Sequence, residues 1–330
     1  MRTRLLLTFS LASASTLLVG RADGTIIGPG DGTGNSLPAN PPAGIAVQNV
    51  GTYSNGAGPA SATYLGNRYV LIANHAGLPS GGINFPTVGT FALDGTTDQL
   101  LTNSDTSNTD LRLVRLATDP GLPTLTIASA TPAIGAGLTM VGGGRNRATT
   151  PTYYNITAPG GVVTWTATAN SASASAGGFA WAPSNGIRWG TNTNDGDGQG
   201  GSRFRLGGAF NVDVFQTDFY ESGTGPNYSI ANAKNDFLAS GSTTSEAQAS
   251  QGDSGGAVFA ADGSLVGIMH AIDGFTNQPS ELALFGQHTF ISDLSVYRSQ
   301  LSAVPEPAVA TLAVGMTGLL ALRRRRRLPG

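Results

Sequence analysis

The apolar runs of this chain are short and β-like. Segments rich in Val, Ile, Thr, Tyr and Phe recur between clusters of Gly, Asn, Ser and Pro, among them "RYVLIANH", "LRLVRLAT", "GGVVTWTATA", "GAFNVDVFQTDF" and "GAVFAADGSLVGIMHAI". That is the pattern of strands bounded by turns. Sustained helical periodicity is missing until "SDLSVYRSQLS" (292–302), which reads as one short helix capped by Ser292. Many short strands and few helices point to an all-β barrel or sandwich. "FAADGSLVGI" sets Asp-Gly between apolar runs, the signal of a tight hairpin. Cysteine is absent, which removes disulfides, thiol catalysis and cysteine-bound metals together. The core alone must hold such a fold.

The two ends differ from the body. Residues 1–22 run from a charged start through "LLLTFSLASASTLLVG" to Ala22, the layout of a secretory signal cleaved near that alanine. Residues 304–330 join Val-Pro-Glu-Pro to 15 apolar or small residues (308–322) and then five arginines. That span is slightly short for a hydrocarbon core, and its arginines are expected to stay cytoplasmic. Setting both ends aside removes 8 of the 18 basic residues and 1 of the 20 acidic ones, which leaves 10 − 19, or −9, on the body. An acidic body without basic stripes argues against nucleic acid as a partner. Within it, residues 23–60 and 166–205 are crowded with small and turn-forming residues and read as surface loops. The second holds "NTNDGDGQG", where Asp195 and Asp197 hint at a calcium loop. Counted from Asn194, the twelve-residue pattern puts Arg205 where a bidentate Glu belongs, so an acidic turn is the better reading.

Three strings carry the chemistry. "QGDSGGAVF" presents Ser254 in a glycine-rich turn; "YVLIANHAG" presents His75 after a strand-like run; "TDLRLVRL" opens on Asp110 at the edge of another. A serine that acylates at neutral pH needs a base within hydrogen-bond reach and a third group to orient that base. Each residue alone is unremarkable. In the order His, Asp, Ser they resemble the chymotrypsin/trypsin-like serine proteases. Gly252 to Gly256 matches that family's Gly-Asp-Ser-Gly-Gly at every position, Asp110 to Leu116 matches the stretch around its aspartate, and Ala73 to Ala76 matches its histidine signature loosely. "LTMVGGGRNR" is similar to the stretch that opens the family's second barrel. The likeness spans about residues 60–302.

What this resemblance implies is an all-β fold of two six-stranded antiparallel barrels with a short C-terminal helix, occupying residues 23–303 and dividing near 125–140. It implies that Ser254 attacks the scissile carbonyl, that His75 is its base and Asp110 the orienter, and that the backbone N–H groups of Gly252 and Ser254 form the oxyanion hole. No cofactor or metal is expected, and the substrates are proteins or peptides. In the family the carboxylate matched by Asp253 is buried against an activated N-terminus; Ile26 or Ile27 in "DGTIIGPGDG" would be the counterpart, although Thr25 precedes Ile26 and no trypsin-type cut is written there. The specificity pocket is expected around Gln248, His270 and His288. Gln248 stands where trypsin-type members carry an aspartate, so a preference for Lys or Arg is unsupported, and family members that cut after Glu line this pocket with histidines.

The C-terminal segment resembles the PEP-CTERM sorting signal of Gram-negative bacteria: Pro-Glu-Pro, a short apolar span and an arginine cluster, in that order. It implies export across the inner membrane, an anchor at 308–322, processing by an exosortase, and delivery to the cell surface or exopolysaccharide. The alternatives are a catalytically silent homologue serving as a surface adhesin or matrix-binding module, and an esterase using the same serine. Nothing in binding requires all three of His75, Asp110 and Ser254, and no βα pattern surrounds Gly252 to Gly256 as an esterase elbow would need.

Overall fold

The computed structural model describes residues 25–28, 32, 34–36, 42–219 and 246–302. The expected export segment at 1–22 and sorting segment at 304–330 lie outside the described residues. No described helix is long and apolar enough to cross a membrane.

Two antiparallel sheets of seven strands carry the fold. The first runs, in spatial order, Gly89–Phe91, Ile83–Phe85, Val50–Ser54, Pro59–Gly66, Tyr69–Ala73, Asn108–Leu116 and Leu93–Thr102. The second runs Arg188–Thr193, Gly137–Gly142, Ala257–Ala260, Leu265–Ile272, His288–Ser292, Val212–Asp218 and Phe204–Leu206. The mostly β class with one short helix among the described residues is as expected, and among those residues each of these two sheets has seven strands where barrels of six were expected. The last strand of the first sheet ends at Leu116 and the first of the second begins at Gly137.

The stretch 166–205 corrects the loop reading. Ala176–Asn185 pairs with Arg145–Arg147, Thr152–Thr157 and Leu282–Leu284, and Thr152–Thr157 pairs with Thr164–Thr168, making a third sheet of five strands. Small residues in "AGGFAWAPSN" conceal the strand because close backbone approach, not side-chain bulk, builds it. At Gly178 a Cβ would fall 2.1 Å from the carbonyl oxygen of Ala283. Residues 23–60 also contribute strands: Ile26–Ile27 pairs with Ala247–Gln248, and Val50–Ser54 sits inside the first sheet. In "NTNDGDGQG", the Asp197 carboxylate accepts the backbone N–H groups of Gln199 and Gly201, as an acidic turn does.

Burial explains why the strand runs are apolar on both faces. Tyr69–Ala73 sends Val70 and Ile72 into one cluster with Tyr64 and Val114, while Leu71 joins Leu111, Val141, Val214 and Phe259 in a cluster shared by the two main sheets. The helix, Leu294–Ser302, adds Leu294, Tyr297 and Leu301 to that shared cluster. Its cap is Asp293 rather than Ser292: Asp293 Oδ1 accepts the Ser295 N–H at 3.0 Å, whereas Ser292 Oγ is bonded to Ile268 of the neighbouring strand. The Tyr297 hydroxyl donates to Asn103 Oδ1 (2.7 Å) in the first half and accepts the N–H of Asp213 (2.9 Å) in the second, so the helix ties the halves together.

Candidate active site

The three chemical residues come from three places in the fold. His75 sits in the single turn Asn74–Ala76 that ends the strand Tyr69–Ala73, and Asp110 is the third residue of the adjacent strand Asn108–Leu116. Because Ala73 is paired with Leu111, the turn necessarily passes over the Asp110 end of that ladder. Ser254 comes from the other half, in the turn before Ala257–Ala260. The His75 Nδ1 lies 2.5 Å from Asp110 Oδ2, its Nε2 lies 2.9 Å from Ser254 Oγ, and its backbone N–H donates to Asp110 Oδ1 at 2.7 Å. An ionised Asp110 makes Nδ1 the donor, which leaves the Nε2 lone pair facing the serine hydroxyl. Phe210 covers the imidazole edge-on, with ring centroids 5.0 Å apart.

Asp110 is fully buried, and burial alone would raise its pKa. Hydrogen bonds from His270 and His75, and their charge, outweigh that and bring the carboxyl from 3.8 to about 2. Of the three residues expected in the pocket, His270 turns its ring onto the acid: its Nδ1 lies 2.9 Å from Asp110 Oδ2. The other two expected pocket residues do lie close together in the fold. Gln248, fully buried, donates to Gln287 Oε1 at 3.2 Å, and Gln287 donates to the backbone of Asp273; His288 Nδ1 lies 2.9 Å from Asp273 Oδ2.

The Gly252–Gly256 turn is held from the first half of the molecule. Ser61 on the strand Pro59–Gly66 donates its backbone N–H to the Ser254 carbonyl (3.0 Å) and its hydroxyl to the Gly252 carbonyl, while Thr63 Oγ1 donates to the Gly255 carbonyl at 2.8 Å. These contacts occupy the carbonyls of Gly252, Ser254 and Gly255, while the amides of Asp253, Gly255 and Gly256 bond to the carbonyls of Ser250, Met269 and Asp253. Gly252, at φ 99°, adopts the left-handed region where glycine is favoured, and among the described residues neither its N–H nor that of Ser254 has an acceptor. Two buried N–H groups on either side of a nucleophile are what an oxyanion hole requires. Sequence reading missed Ser61 and Thr63 because "PASATYLG" alternates small and polar residues like a strand with a wet face. Both are fully buried, and the polar residues face the other half of the protein.

Asp253 is fully buried, and burial pushes its carboxyl well above the usual carboxylate range, opposed by N–H groups of Ser250, Gly144 and Thr25 and by the Thr25 hydroxyl. Among the described residues the N-terminal stretch therefore reaches Asp253 through Thr25. Ile26 and Ile27 are buried in the core and paired with Gln248 and Ala247. Gly142 passes so close that a Cβ there would lie 1.8 Å from Asp253 Oδ1. Gly142→Ala is expected to cost about 1–3 kcal/mol in urea unfolding and to abolish activity by displacing the turn. Gly137→Ala, at the open end of the same strand, where a Cβ meets nothing within 4 Å, is expected to leave both nearly unchanged.

His75, Asp110 and His270 place their ligating atoms within 4.8 Å of one another, close enough in principle for a metal ion. Asp110 Oδ2 already accepts two imidazole N–H groups there, so a cation would have to break the chain that orients His75.

The Trypsin family model matches residues 189–289, a segment that contains Ser254 but neither His75 nor Asp110. No curated protein sequence matches. Among solved structures, that of Rv3671c from M. tuberculosis H37Rv, in an inactive form with a serine-to-alanine mutation, is 12% identical with a TM-score of 0.41, over 80% of this chain and 90% of that one. The Rv3671c protease in its inactive form is 12% identical with a TM-score of 0.40, over 79% and 91%. The Trypsin match, joined to a hydroxyl–imidazole–carboxylate chain of these distances, marks the chain as a serine endopeptidase.

Proposed function

We propose that this endopeptidase works outside the cytoplasm through an acyl-enzyme on Ser254. His75 removes the Ser254 proton and returns it to the leaving amine, Asp110 holds the Nδ1–H tautomer and balances the imidazolium, and the N–H groups of Gly252 and Ser254 receive the developing oxyanion. The continuous chain Asp110–His75–Ser254, assembled from both halves of the fold, is the observation that carries this reading. A catalytically silent adhesin would have no use for it. Active-site titration with a fluorophosphonate, run beside a casein assay, tests the proposal. Stoichiometric labelling at Ser254 with casein turnover is expected, and labelling without turnover of any protein or peptide would overturn the endopeptidase reading.

The pocket is proposed to have an uncharged base at Gln248, with His288 held by Asp273 at its side. Matched peptides carrying Glu, Leu or Arg at the cleaved position are expected to favour an uncharged residue, and a strong preference for Arg would contradict this. The signal at 1–22 and the PEP-CTERM-like segment at 304–330 support export across the inner membrane, anchoring through 308–322, exosortase processing and retention at the surface of a Gram-negative cell. Deleting 304–330 is expected to release activity into the medium; unchanged retention at the surface would contradict the sorting role.

A further inference from the structure

Asp110 Oδ2 accepts from two histidines at once, His75 Nδ1 at 2.5 Å and His270 Nδ1 at 2.9 Å. The second is there by construction. Met269 pairs with Ile291 and Ala271 with Phe290, so His270 is the extra residue of a β-bulge in the strand Leu265–Ile272. Bulges re-aim a side chain, and this one turns an imidazole onto the buried acid. The same residue also reaches the far end of the triad, since its backbone carbonyl lies 3.4 Å from Ser254 Oγ. We propose that His270 is a positioning residue for the triad: a permanently neutral Nδ1–H donor that locks Asp110 in place without cancelling its charge.

The chemistry follows from what surrounds the ring. His270 is completely buried, and its Nε2 has no hydrogen-bond partner among the described residues. A neutral Nδ1–H tautomer leaves only an acceptor lone pair unpaired there. A protonated ring would bury an unpaired N–H and a positive charge, which is far more costly. Burial accordingly pushes the imidazole below its ordinary value, against the pull of Asp110.

The ionisable neighbours are few. Asp110 faces the ring directly, and the His75 ring stands 6.1 Å away, centroid to centroid. The Tyr53 phenol is raised by burial and by the Asp110 charge. On the packed elements, His288 is engaged by Asp273, Tyr69 lies under Arg115 and Tyr297 is bonded to Asn103. A charged His270 would neutralise Asp110 and weaken its support for the His75 imidazolium in the transition state. A neutral one fixes the carboxylate and keeps that support.

This inference rests on the proposed catalytic reading, and its test separates the two. His270→Leu removes the donor at similar bulk, whereas His270→Asn keeps an N–H donor where Nδ1 stands. In an enzyme whose wild type labels with fluorophosphonate, His270→Leu is expected to lower kcat by about ten- to hundredfold, the effect of one hydrogen bond to a charged group. KM should move little. The acid limb of the kcat/KM profile should move to higher pH, because a carboxylate with one donor fewer holds a neighbouring proton harder. His270→Asn should restore most of kcat and the wild-type acid limb. Equal losses in both variants with no movement of the acid limb would reduce His270 to packing. An arm independent of turnover uses Ser254→Ala protein, in which side-chain ¹⁵N NMR should show His270 as the neutral Nδ1–H tautomer from pH 5 to 8. An Nε2–H tautomer, or titration like a free imidazole, would overturn the proposal.

Discussion

Ser254→Ala and His75→Ala are each expected to lower peptide turnover by about four orders of magnitude or more and to abolish fluorophosphonate labelling. The geometry explains why the two losses should match. Among the described residues Ser254 Oγ has one base within reach, His75 Nε2 at 2.9 Å; its other acceptor there is the His270 carbonyl at 3.4 Å, which cannot accept a proton in a reaction. Removing the imidazole leaves a hydroxyl too weakly acidic to attack, and removing the hydroxyl leaves a base with nothing to activate. The double variant should therefore be no worse than either single one, since the pair acts as a unit. Both single variants should retain the wild-type melting temperature within a few degrees, because His75 is partly exposed and Ser254 Oγ is replaced by a smaller group in a turn held by Ser61 and Thr63. Labelling that persists in either variant would remove Ser254 and His75 from the mechanism.

The residues legible in the sequence were those defined by local strings. Gly252-Asp253-Ser254-Gly255-Gly256 announces a turn that only glycine permits at its positive-φ positions, and "YVLIANH" and "DLRLVRL" announce buried strands whose ends carry one polar residue each. The hairpin at Asp262-Gly263 was equally plain, and its strands Ala257–Ala260 and Leu265–Ile272 pair as expected. What sequence could not supply was direction. His270 sits in a run buried on both faces, and strict alternation would not turn it toward Asp110; the bulge at that point does, and nothing in "VGIMHAID" marks a bulge. Ser61 and Thr63 failed for a related reason, since a polar residue in alternation reads as solvent-facing until the partner half of the fold is in place. The third sheet escaped because "AGGFAWAPSN" pairs through its glycines, and glycine reads as a breaker wherever side chains are the signal.

Asp110→Asn is expected to be nearly as damaging as loss of the serine, lowering kcat by about 10⁴ with little change in KM. Three N–H donors converge on the two Asp110 oxygens: the His75 backbone on Oδ1, and the rings of His75 and His270 on Oδ2. An amide has one oxygen to offer them. If that oxygen faces the rings, the NH₂ opposes the His75 backbone N–H and pushes the Asn74–Ala76 turn out of register. If it faces the backbone, both rings must give up their Nδ1 protons, and His75 then presents an N–H to Ser254 instead of a lone pair. Either arrangement removes the base. The same convergence sets the acid stability of the wild type. Asp110 is depressed from 3.8 to about 2, so its ionised form stabilises the fold above pH 4, and that contribution is lost as pH falls from there toward 2. The Asn variant, with nothing to protonate, should lack this part of the acid transition in a urea series. A thermodynamic cycle completes the argument. If His270 acts only through this carboxylate, His270→Leu should cost about ten- to hundredfold in the wild type and almost nothing in the Asp110→Asn background. Additive losses would mean that His270 acts by another route.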